Sequence, residues 1–217
     1  MRTFTTFLLA GLLTSWGICG CSLTGREPTL PQAEKPVPIH SLVILPTTVP
    51  QLEQNGKGEN IHQLQNGAKV LDELYNEYFG GLDAVTLLPE ERQEALIADF
   101  TGSPSERARL IGEKLGSGAV LATTIMRFSE RQGTKYAIDK PASVAFRFQL
   151  ILVSSGKVAC VGQFAETQKP LTENIFAFPQ VASRGFKWVT AQELAREGLK
   201  HELDECAPLQ RLHSGSP

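Results

Sequence analysis

The sequence predicts a three-layer α/β single domain with a mixed sheet, its elements in the order βαβααβββα, preceded by a disordered tether. Three observations predict it. Short apolar runs alternate with helical periodicity in the first half of the chain, two alternating segments joined by turn residues follow, and a capped helix comes last. The domain is assigned to residues 39–206, behind a leader at 1–20 and a tether at 21–38, with a frayed tail at 207–217.

The first strand lies in Ile39 to Pro46, where the run Leu42 to Leu45 suits a strand buried on both faces. Beyond a loop of Pro, Gly and Asn at 47–60, Ile61, Leu64, Ala68, Leu71 and Tyr75 recur at helical spacing, and Gly80-Gly81 stops the helix. Val85 to Leu88 is a second short strand. Pro89 opens a charged helix running to about Asp99, whose Glu90, Glu91 and Glu94 complement its N-terminal dipole as a solvated turn. Ser103-Pro104-Ser105-Glu106 is a capping box with Pro at the first helical position, and Gly116 closes the helix that carries Leu110, Ile111 and Leu115.

Ala119 to Phe128 reads as a buried strand. From Ser143 to Val153 the pattern alternates: Val144, Phe146, Phe148, Leu150 and Leu152 share one face, Arg147 and Gln149 the other. Ser154-Ser155-Gly156-Lys157 turns the chain and Val158 to Thr167 returns, forming a hairpin. Thr190 and Glu193 form a second capping box for a helix that ends near Cys206. The segment 170–189 between hairpin and helix has no clear period.

The N-terminus has the zones of a secretory signal: Arg2, an apolar stretch from Phe7 to Gly17, and small residues before a cysteine. That stretch is about eleven residues, whereas a helix needs roughly 20 to span a bilayer. Ile18-Cys19-Gly20-Cys21 resembles the lipobox of bacterial lipoproteins. The resemblance implies cleavage before Cys21, lipidation of Cys21 (palmitate among its chains), and, with Ser22 rather than Asp next, an outer-membrane location facing the periplasm. Two or more acyl chains at about 0.8 kcal/mol per buried CH₂ anchor a protein stably. Residues 22–38, rich in Pro and polar side chains, would hold the domain up to about 50 Å from the lipid at roughly 3.1 Å per residue.

Net charge is −2 over 217 residues and becomes −3 without the leader, whose sole charge is Arg2; no basic block exists, so nucleic-acid binding has no electrostatic support. Cys160 and Cys206 remain in the body of the domain. In an oxidising periplasm they form a disulfide or stay as two buried thiols, and the sequence leaves both open. No metal site is expected, since His40, His62, His201 and His213 are scattered and no paired CxxC exists. No cofactor motif stands out: Gly112-x-x-x-Gly116-Ser117-Gly118 follows a helix and precedes a strand, the reverse of a phosphate loop. Ser154-x-x-Lys157 has a spacing known from serine-lysine enzymes, but it falls in a hairpin turn instead of at a helix start. No catalytic residue is assigned and no enzyme activity is expected.

Two polar or aromatic groups remain as contact candidates. Glu166, Thr167, Gln168, Glu173 and Asn174 lie where the last strand leaves the sheet, either satisfying backbone groups or facing a partner. Phe176, Phe178, Phe186 and Trp188 either staple their loop to the body or form a partner surface.

With LVILP at 42–46, EKLGSGAVLATTI at 113–125, a hairpin, FAETQKPLTENIF at 164–176 and WVTAQELAREGLKHEL at 188–203, residues 39–206 resemble a group of envelope proteins. These are the periplasmic lipoproteins related to the curli secretion channel subunit, the lipoprotein activators of penicillin-binding proteins, and the N-terminal domain of the Tol beta-propeller protein. The resemblance implies a non-enzymatic assembly module that binds another envelope protein and the membrane through its lipid. A homo-oligomeric secretion subunit and a small-molecule binder are the alternatives. For a channel, the loops at 47–60 and 129–141 lack the apolar alternation of membrane hairpins.

Overall fold

The chain divides into two units, residues 1–35 and 36–217. The computed structural model describes residues 38–50, 58–133, 138–168 and 189–214, all in the second unit. The expected leader, the tether and the aromatic segment lie outside these residues, except for Pro38 and Val189 at their margins.

Five strands form one mixed sheet. They are β1 (Leu42–Ile44), β2 (Val85–Leu87), β3 (Ala119–Ser129), β6 (Ser143–Leu152) and β7 (Val158–Thr167), in the spatial order β2-β1-β3-β6-β7. β1 pairs in parallel with β2 and β3, whereas β3, β6 and β7 are antiparallel. Parallel pairs need helical crossovers, and these are α1 (Gly58–Phe79) between β1 and β2, then α2 (Glu90–Ile97) and α3 (Pro104–Leu115) between β2 and β3. The chain ends in α4 (Ala191–Glu205) and α5 (Ala207–Ser214).

Two cores flank the sheet, as three layers require. On one face Leu42, Ile44, Leu121, Ile125, Phe146, Phe148 and Leu150 meet Leu64, Leu71 and Tyr75 of α1, Leu194 and Leu199 of α4, and Leu209 of α5. On the other face Val43, Leu45, Val120, Ile151 and Val153 meet Ala108 and Ile111 of α3. Close packing selects glycine at the contacts. A Cβ on Gly198 of α4 would stand 2.6 Å from the Phe164 ring, and one on Gly162 of β7 would stand 2.3 Å from Phe148.

Both expected capping boxes are present. The Ser103 hydroxyl accepts from the Glu106 amide while the Glu106 carboxylate accepts from the Ser103 amide; Thr190 and Glu193 do the same for α4. Glu130, just past β3, reinforces the second cap by accepting the Ala191 amide at 3.1 Å. Gly116 ends α3 with φ 66°, a left-handed conformation that costs glycine little.

Two segments differ from the sequence reading. The tail expected to fray from residue 207 continues as α5, because Leu209 is fully buried in the larger core and Leu212 packs against it. Residues 129–141, read as a plain loop, carry two short strands, β4 (Gln132–Gly133) and β5 (Ile138–Lys140), paired with each other. Strands of two and three residues are too brief to leave a hydrophobic period.

Candidate functional site

Of the residues singled out in the sequence, Cys21 and the aromatic set Phe176, Phe178, Phe186 and Trp188 fall outside the described residues, as do Glu173 and Asn174. Cys160 and Cys206 are joined by a disulfide, with Cα atoms 6.0 Å apart across 46 residues of sequence. It ties edge strand β7 to the junction of α4 and α5. Glu202 of α4 also reaches this edge, accepting the Gln163 amide at 2.9 Å.

A polar group missed in the sequence sits just past the carboxyl end of β1, against the middle of β3. The Tyr75 and Thr123 hydroxyls share a buried hydrogen bond of 2.7 Å. Thr48 donates to the Thr123 carbonyl at 3.0 Å, and its hydroxyl lies 3.2 Å from that of Thr124. The Thr47 amide donates to Asp72 Oδ1 at 2.9 Å. Burial raises the Asp72 carboxyl above its ordinary range, the Thr47 bonds oppose this, and the nearby charge of Glu90 adds to the rise. Burial likewise pushes the Tyr75 phenol far above its usual value, so it acts as a neutral hydrogen-bonding group. Periodicity marked Tyr75 as core, but no local signal pairs it with Thr123, 48 residues away.

These bonds fasten α1 to the segment that follows β1 and to β3. A second tie joins α1 to α4, where Tyr78 donates to Asp204 at 2.7 Å and Asp204 also accepts Lys200 at 2.6 Å. Among the described residues no group of three His, Cys, Asp or Glu side chains could hold a metal ion, and no helix is long and apolar enough to cross a membrane. The remaining motifs have structural places. Lys157 belongs to the β6–β7 turn, where its amide donates to the Ser155 hydroxyl, and Gly112 packs against Val153 and Val120. Gln168 is buried where β7 ends, its amide bonded to the Ala142 carbonyl, and the Thr167 and Ser143 hydroxyls are 2.5 Å apart.

Several solved structures are similar to this chain at low sequence identity. They include the PelC dodecamer from Paraburkholderia phytofirmans, with 14% identity over 79% of this chain and 87% of that one and a TM-score of 0.43. The LpoB C-terminal domain from Escherichia coli has 17% identity over 63% and 90% of the two chains, TM-score 0.37. Lipoprotein GNA1162 from Neisseria meningitidis has 14% identity over 67% and 92%, TM-score 0.32. No protein-family model and no curated protein matches the chain.

Proposed function

We propose that this chain is a lipid-anchored periplasmic interaction or assembly protein of the bacterial envelope, without catalysis of its own. The observation that carries the reading is the order Ile18-Cys19-Gly20-Cys21, then a Pro-rich tether, then a folded domain. Such a layout holds a domain near a membrane while leaving it free to meet a partner. Two features of the domain support it: the disulfide suits an oxidising compartment, and the polar cluster past β1 is engaged in fastening elements together. Ser22 after the modified cysteine favours the outer membrane.

Metabolic labelling with palmitate tests the anchor. The wild-type chain is expected to take up label and sediment with membranes, and Cys21→Ala to lose both. Cross-linking in cells followed by native mass spectrometry tests the partner. A defined complex with a second protein is expected; a bare monomer, or saturable turnover of a substrate by the purified domain, would overturn the reading.

A further inference from the structure

The second face of the sheet is covered at one end only. Its residues form a grid across β3, β6 and β7, set by the strand register. One row is Val120, Ile151 and Val158; the next are Ala122, Gln149 and Val161; then Thr124, Arg147 and Gln163; then Arg127, Ala145 and Ala165. α3 packs on the first row, where Val120 and Ile151 are buried. In the next row Ala122 still packs half-buried against that core, whereas Val161, Arg147, Gln163, Arg127 and Ala165 are exposed, with Ala145 buried among them. A bulge between Ile125 and Arg127 places Met126 beside Arg127 at the far end.

This surface is apolar and basic together. Met126, Val158 and Val161, exposed to 42%, 45% and 46%, are the exposed large hydrophobic residues among the described residues; Val161 lies in the open rows, Met126 at their far end and Val158 in the first row. Arg127 and Arg147 are exposed on it, and neither has an ion pair or hydrogen bond among the described residues. No acidic residue occupies any grid position, although the protein as a whole has a net charge of −2. Arginines beside exposed apolar side chains are the composition of an interface core, and the guanidinium plane matches a carboxylate with two parallel bonds.

We propose that these three open rows dock an acidic, partly apolar segment of a partner protein, with Arg147 at the centre and Arg127 beside it receiving its carboxylates. Val161 and Met126 take its apolar side chains. The inference rests on the adaptor reading above and names the surface that reading requires. An anionic lipid surface fits less well, because two arginines alone hold a domain only weakly to a charged membrane.

The test places a benzophenone cross-linker at Val161 in the full lipoprotein in cells, with one at exposed Glu73 of α1 as control. The expected result is a cross-link from 161, absent from 73, to a second protein at a peptide carrying Asp or Glu. Its yield falls at least fivefold with Arg147→Glu and is largely restored with Arg147→Lys. Circular dichroism and thermal unfolding of Arg147→Glu, expected to match wild type, show that the loss is not one of folding. A complex that forms but does not cross-link from 161, or ignores Arg147→Glu, overturns this surface while the adaptor reading stands. The surface is equally overturned by a cross-link to residues 169–188 of the same chain or to a second copy, or by flotation of Cys21→Ala protein with vesicles of 30% anionic lipid that is lost in Arg147→Glu. Failure to form any complex overturns both readings.

Discussion

The two faces of the sheet are built from alternate residues of the same strands and have opposite surroundings. One lies under α1, α4 and α5, is filled by Phe146, Phe148 and Leu150, and is stapled at its edge by Cys160–Cys206. The other is closed by α3 over Val120 and Ile151 and then opens onto Gln149 and Arg147. A single strand, β6, thus carries residues selected for packing next to residues selected for water or for contact. Stability should therefore reside in one face and binding in the other.

The largest test of that division is Phe148→Ala. Removing a fully buried ring from the covered face should cost about 3–5 kcal/mol, read as a lower urea midpoint. Replacing Cys160 and Cys206 by Ser releases the 46-residue link between β7 and the α4–α5 junction, and should cost about 2–4 kcal/mol in the same measurement. A smaller loss would mean that burial of Leu203 and Leu209 alone holds the two helices down.

A charge on the covered side gives a test of the opposite sign. Because burial raises the Asp72 carboxyl above its unfolded value, the folded state binds the proton more tightly. This residue therefore adds stability as pH falls through its folded pKa towards about 3.9, and detracts from it at neutral pH. Asp72→Asn keeps an oxygen for the Thr47 amide. It should unfold at a higher temperature than wild type at pH 7, with the difference shrinking on acidification. A difference independent of pH would show that Asp72 is not the group responsible. The smallest effect is expected one residue from the largest: Arg147→Ala should change stability by no more than about 0.5 kcal/mol while weakening the partner complex. A loss comparable to that of Phe148→Ala would erase the contrast between the faces.

The covered face was the legible one. Helical spacing from Ile61 to Tyr75 and alternation from Val144 to Leu152 are direct imprints of burial, and the two capping boxes are local chemistry that neighbours in sequence complete by themselves. Residue 207 onward was misread because α5 owes its place to Leu209 inserting into a core assembled from distant elements. The Tyr75–Thr123 bond and the Asp72–Thr47 bond left no local trace for the same reason. Alternation in β6 showed Arg147 and Gln149 facing away from Phe148, but the exposure of Arg147 depends on where α3 ends. The open grid appears only when three strands are laid side by side in register.

Edge strand β7 has one more consequence, for solubility. A ten-residue strand at the rim of a sheet offers unpaired amides on which other chains can grow as fibrils or amorphous deposits, and natural sequences blunt such rims with charge. Here the Glu202 carboxylate already occupies the Gln163 amide near the middle of the strand, so an incoming strand must first displace an anion and leave it beside its own backbone carbonyls. A bulge between Leu150 and Ile151 in the β6–β7 register further interrupts the rim as a template. The same α4 helix that packs the core therefore also sets a negative charge across this rim.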